Sequence, residues 1–210
     1  VTMPKAHLDY YENKEFLESF KRNIIGVTNL RFLGGEPFLN PNLEDFIDAV
    51  PDEQAKDMTL LITTNATIFD EGKIEKISKF NKILLNLSID GTGQLFEYIR
   101  KNADWEKVQE NIAKFNTLPD RFSFSMVLTM SAYNVTRLGS ITEWMRTNYP
   151  RFKIVLNRVF YPTYLDPVNL PDDLKQMALD SLEKEKKTRC DYPHMIWLRT
   201  ELNSMQKQLR

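Results

Sequence analysis

Five short apolar runs, each closed by a polar or glycine-bearing turn and most followed by a segment of helical period, leave few folds open to this chain. Residues 28–33, 58–64, 82–90, 121–130 and 153–160 read as strands. Between them, Leu43, Phe46, Ile47 and Val50, then Ile74, Ile77 and Phe80, then Trp105, Val108, Ile112 and Phe115, then Leu138, Ile141 and Met145 recur at helix spacing. A further helix over residues 13–22, with Phe16, Leu17 and Phe20 on one face, precedes the first strand. Strands joined by helices of crossover length form βαβ units and a parallel sheet, so the fold class is α/β.

Two strands say which kind. Phe122, Phe124, Met126, Leu128 and Met130 alternate with Ser123, Ser125, Val127 and Thr129, and Ile83, Leu85, Leu87 and Ile89 oppose Asn86, Ser88 and Asp90. A flat sheet covered by helices on both faces needs apolar residues on both. One large apolar side and one small or polar side fit helices on a single face around a partly wet interior, an open TIM-like barrel. Ligands in such folds bind at the carboxyl ends of the strands. That rule gathers Gly34, Gly35 and Glu36, Thr64 and Asn65, Ser88 and Asp90, Thr129 and Asn157 around one mouth.

The first of these turns, Leu33-Gly34-Gly35-Glu36-Pro37, ends an apolar run abruptly. Glycines allow a ligand close to the backbone, and Pro37 removes a donor and stiffens the exit. Glu36 then sits beside open polar backbone, placed to accept from a ligand ammonium. The same residues also read as a plain strand-to-helix turn with a solvated Glu. Asn40-Pro41 supplies the expected cap and first-turn proline of the next helix.

With Lys+Arg 28 against Asp+Glu 29, the net charge of −1 gives no footprint for nucleic acid or an anionic membrane. Apolar runs are too short to span a bilayer, and no charged-then-apolar signal opens the chain. The expectation is a soluble, cytoplasmic protein acting on a peptide, protein or small molecule. The single cysteine, Cys190, excludes an internal disulfide and any multi-thiolate metal site built from this chain alone. His7 and His194 read as surface or capping residues. The run Lys73-Ile74-Glu75-Lys76 reads as a solvated helix face, as does Glu183-Lys184-Glu185-Lys186-Lys187, and the three tryptophans, Trp105, Trp144 and Trp197, read as packing. Beyond a loop at residues 161–167, a helix is expected from 172 to about 187. A last amphipathic segment carries Met195, Leu198, Leu202, Met205 and Leu209. The expected division is a barrel at residues 1–168 and a helical extension at 169–210.

Leu33-Gly34-Gly35-Glu36-Pro37 after one strand, Thr64-Asn65 ending the next and Leu87-Ser88-Ile89-Asp90-Gly91 ending the third resemble the radical S-adenosylmethionine (SAM) enzymes. The similarity continues through Phe96-Glu97-Tyr98-Ile99-Arg100 and residues 105–115, and reaches residue 174, closest to members with a short "twitch" extension. The resemblance implies a partial (βα)6 barrel. It also implies that Gly34, Gly35, Glu36 and Pro37 hold the methionine moiety of SAM, with Glu36 on its amino group. Ser88 and Asp90 would meet the ribose or carboxylate, Thr64 and Asn65 would line the mouth, and Asn157 would lie on the adenosine side. Ionised carboxylates only accept, which suits an ammonium and hydroxyls.

One departure bears on mechanism. The family binds a 4Fe-4S cluster through a Cys-x3-Cys-x2-Cys loop after its first strand, takes electrons from a donor, and reduces SAM to a 5′-deoxyadenosyl radical. Thiolates hold such clusters, and this sequence has no such loop. The expectation is therefore a fragment of an oxidoreductase whose first strand and cluster loop lie upstream, inactive alone and prone to self-association through an open sheet edge. The alternative is a natural cluster-less module that binds SAM or a nucleotide. A third reading takes Gly91-Thr92-Gly93 as a phosphate nest beside Asp90 or Glu36 as acid or base.

Overall fold

A computed structural model describes residues 14–187. Helix α1 (Lys14–Asn23) leads into strand β1 (Asn29–Phe32), followed by α2 (Leu43–Asp48), a single turn α3 (Asp52–Ala55), β2 (Thr59–Thr64), α4 (Glu71–Ile77) and β3 (Lys82–Ser88). Then come α5 (Gly93–Ile99), α6 (Trp105–Asn116), β4 (Phe122–Met130), α7 (Leu138–Asn148), β5 (Lys153–Arg158) and α8 (Asp172–Lys187).

The strands form one sheet in the order β1-β2-β3-β4-β5. Parallel registers set Phe32 opposite Ile62, Ile62 opposite Leu85 and Thr129 opposite Asn157. Sequence order without a reversal is the winding of a barrel sheet, since doubly wound sheets reverse direction part-way. The fold is α/β, consistent with a partial TIM-like barrel.

The expected alternation is present. Ile83, Leu85 and Leu87 in β3, and Phe122, Phe124, Met126, Leu128 and Met130 in β4, are buried, while the residues between them in β4 are half-buried. β2 repeats the pattern with Leu60, Ile62 and Thr64 inside.

The described residues cluster into two compact units. One runs up to Leu87 and adds Val108–Phe124; the other is Ser88–Lys107 with the chain from Ser125 onward. In the first unit Phe115 is fully buried, with the Phe69 ring edge-on at 4.9 Å and Phe38 at 6.1 Å. Phe16 and Phe20 of α1 meet the edge of Phe46 at 5.8 and 5.2 Å, which fastens that amphipathic helix. In the second unit Trp105 lies between Phe96 at 4.9 Å and Trp144 at 5.1 Å, so these tryptophans are packing groups.

Four details differ from the sequence reading. Asn40 does not cap α2: its Oδ1 accepts from the Asn42 amide at 2.9 Å, and the helix starts at Leu43. The stretch expected as one helix to Val50 stops at Asp48 and resumes as a single turn after Pro51. Helix α5 was not anticipated, because Gly93 and a run of seven residues carry too little periodicity. Lys73 is buried rather than solvated, whereas Lys76 is indeed at the surface, where hydrogen bonds to Asp48 and Glu44 hold its ammonium above its ordinary pKa. His7, His194, Cys190, Trp197, the segment from residue 193 and the charged run's side chains at 183–187 lie outside the description.

Truncating Phe115 to Ala removes the hub of the first unit. It is expected to cost about 3–5 kcal/mol in urea unfolding. Phe16→Ala, at a residue 43% exposed, should cost much less.

Candidate functional site

Two residues past β1 the chain turns through Gly34 (φ 86°) and Gly35 (φ 56°). Consecutive left-handed conformations are accessible to glycine at little cost. A Cβ at either position would meet no heavy atom within 4 Å, so both open onto free space. Glu36 returns to extended backbone and caps a short 3-10 helix (Pro37–Leu39), Pro37 occupying its first position with the buried Phe38 behind it.

The Glu36 carboxylate joins its own turn to the end of β2 through three donors. Oε1 accepts from the Phe38 amide at 3.2 Å and from Thr64 Oγ1 at 2.8 Å, and Oε2 accepts from the Asn65 amide at 2.6 Å. A carboxylate offers about four lone-pair sites. Three are taken by these donors, which leaves an acceptor position on Oε2 for a ligand.

The end of β2 is itself fixed. Thr64, 1% exposed, also accepts from the Ala66 amide at 3.1 Å. Asn65 Oδ1 accepts from the amide and hydroxyl of Thr67 at 2.9 and 2.6 Å. Ala66 sits at φ 60°, a costly conformation for a residue with a Cβ, and its carbonyl accepts from Nδ2 of the buried Asn111 at 3.0 Å. The turn is thus over-determined.

The exit of the turn is held by a lysine. Lys73, 8% exposed, donates from Nζ to the carbonyls of Phe38 at 2.7 Å and Asn40 at 3.2 Å. Neither Lys73 nor Asn111 was read as a site residue from the sequence; Asn65 was, but its turn onto Thr67 was not, although Asn side chains commonly close such turns.

In the second unit Asp90, 9% exposed, is held through both oxygens: Oδ2 accepts from Arg100 Nη2 at 2.7 Å and Oδ1 from the Thr129 amide at 2.8 Å. Asn134, fully buried, donates to the carbonyls of Asp90 and Thr129 at 2.9 Å each and accepts from the Ser131 amide at 2.8 Å. It staples the ends of β3 and β4. Ser88 is half-buried, and Asn157, opposite Thr129 in β5, is exposed. Beyond β5, Arg158 and Asp166 form a bidentate pair at 3.0 Å on both arms, with side chains 8% and 10% exposed.

The expected residues therefore fall into two groups. Gly34, Gly35, Glu36, Pro37, Thr64 and Asn65 are brought together within the first unit, and Ser88, Asp90 and Asn157 belong to the second. In the Gly91-Thr92-Gly93 turn, a Cβ at Gly91 would crowd the Phe96 amide at 3.1 Å and Leu95, whereas Gly93 (φ 56°) opens onto free space. No group of three or more His, Cys, Asp or Glu among the described residues is arranged to hold a metal.

Comparison with known proteins supplies the rest. The chain is 32% identical over 125 residues to a probable GTP 3',8-cyclase of Methanocaldococcus jannaschii, covering 58% of this chain and 40% of that protein. Over 89 residues it is 32% identical to molybdenum cofactor biosynthesis protein 1 of Dictyostelium discoideum, covering 41% of this chain and 14% of the other. Among solved structures, native anSMEcpe with bound AdoMet and Cp18Cys peptide superposes at TM-score 0.58 and 18% identity, over 81% of this chain and 51% of that one, a likeness of fold. The chain thus spans about half or less of each of these proteins. Residues 4–130 match the radical SAM superfamily as a family, and the chain belongs to it.

Proposed function

We propose that this chain is the SAM-holding part of a radical SAM oxidoreductase, with the ligand's ammonium on Glu36. The observation that carries the reading is the Glu36 carboxylate, fixed by three donors of the chain itself beside two glycines that open onto free space. A carboxylate so held needs no reorganisation to accept a cation, and the bare glycine backbone leaves room for the methionyl group. Thr64 and Asn65 act by fixing that carboxylate. Ser88 and Asp90 are proposed for the ribose or carboxylate and Asn157 for the adenosine. In the same reading residues 1–168 form the barrel and 169–210 a twitch-like helical extension.

A 4Fe-4S cluster, when present beside SAM, supplies the electron that cleaves it to a 5′-deoxyadenosyl radical. The residues of this chain do not fit that cluster: it needs thiolates, and the sequence holds one cysteine. The thiolates are proposed to come from outside this sequence, together with an electron donor, in a reducing compartment such as the cytoplasm. The substrate class is open to proposal from the relatives. A nucleotide is proposed by analogy with the probable GTP 3',8-cyclase, and a peptide by analogy with the peptide-bound anSMEcpe. Fold does not choose between them.

Calorimetric titration of the chain with SAM is expected to show micromolar binding. Glu36→Ala should weaken it by roughly 1.5–3 kcal/mol, the worth of a charge-assisted bond. No heat from the wild type at millimolar SAM would sink the reading.

Iron-sulfur reconstitution of this chain is expected to give neither a stable cluster nor 5′-deoxyadenosine. The same chain supplied with a cluster-bearing segment of a relative and with dithionite as reductant should cleave SAM to methionine and 5′-deoxyadenosine. If it does not, while SAM still binds, the cluster-less binding module is the better description.

A further inference from the structure

Lys73 breaks two rules at once. It places a cation in the first turn of α4, the end where the helix dipole favours anions, and it buries that cation at 8% exposure. A lysine tolerated against both effects needs specific acceptors, and it has them: the carbonyls of Phe38 and Asn40, with Asp70 Oδ2 more distant at 3.9 Å. Asp70 is the cap of α4, accepting from the Lys73 amide at 3.1 Å, so the base of the side chain is anchored as well as its tip.

Phe38 is the central residue of the 3-10 helix and Asn40 its C-cap, while Glu36 caps its entrance. Glu36 accepts from the Phe38 amide, and Lys73 donates to the Phe38 carbonyl. One peptide residue is therefore clamped between a carboxylate and an ammonium. The turn's own hydrogen bonds, Leu39 amide to Glu36 carbonyl at 3.0 Å and Asn40 amide to Pro37 carbonyl at 3.1 Å, have the poorer geometry of 3-10 segments, so outside partners add to its hold.

We infer that Lys73 is a positioning residue of the Glu36 site: by gripping the carbonyls of Phe38 and Asn40 it keeps the turn closed and the carboxylate aimed. For its ligand the inference rests on the SAM reading above; for the geometry it does not.

Amide hydrogen exchange on the 210-residue chain, followed by NMR, separates the two. Lys73→Met keeps the stem and removes the charge. The Phe38 and Asn65 amides, both donors to Glu36, are expected to exchange about tenfold faster or more, with Ile62 and Leu85 in the strands unchanged. SAM affinity should fall by about tenfold in parallel, and Lys73→Arg should recover part of both. Equal acceleration at all four amides, or none at Phe38 and Asn65, would overturn the inference. Failure of the wild type to bind SAM would overturn the SAM reading while the exchange pattern still decides the role of Lys73. If Lys73→Met does not fold, the wild type suffices. Its Lys73 ammonium is expected to exchange slowly with water and to show couplings to the Phe38 and Asn40 carbonyls, and rapid exchange without them overturns the proposal.

Discussion

The Glu36 carboxylate is the interaction on which the candidate site depends. It ties the turn after β1 to the end of β2, and it does so only because those strands are parallel and in the observed register. Phe32 stands opposite Ile62, so the last residue of β2 lies two positions further on, while Glu36 lies four positions on. The two extra residues on the first strand are absorbed by the pair of left-handed glycines. A slip of one residue in the pairing would turn Thr64 from the buried face to the other side and remove one of the carboxylate's partners.

That dependence explains which parts of the molecule could be read beforehand. The period-two burial of β3 and β4 follows directly from side chains of contrasting size and polarity on alternate positions, so it was legible residue by residue. The Gly34-Gly35-Glu36-Pro37 turn was legible because glycine, proline and a carboxylate each restrict what the backbone or its ligand can do. Lys73 was not, since a lysine between Gly72 and Ile74 on a short charged helix looks like every other solvated lysine. Its burial is decided by carbonyls more than thirty residues away in the chain. Ala66 at positive φ was equally invisible, because its cost is offset by Asn111, a partner forty-five positions on.

The second unit uses a different device for the same problem. Parallel strands leave unpaired backbone groups at their carboxyl ends, and buried ones must find partners. Asn134 supplies donors and an acceptor to three of them, and Asp90 takes the Thr129 amide. Asp90 thus holds strand ends in place with the same oxygens that the sequence marks for a ligand. Its arginine partner, Arg100, closes α5, the helix that the hydrophobic period failed to reveal.

Holding SAM and reducing it are physically separable tasks. On the proposed reading the first needs a fixed acceptor and open backbone, the part given to Glu36 beside Gly34 and Gly35, and the second needs thiolates, of which the sequence holds one. Among the described residues the donors to Glu36, namely Phe38, Thr64 and Asn65, come from within the first unit. The geometry of the acceptor is therefore set by strand register and a clamped turn, independently of any cluster. A site organised in this way keeps its shape before the reactive group arrives, so that binding energy is not consumed in ordering the turn.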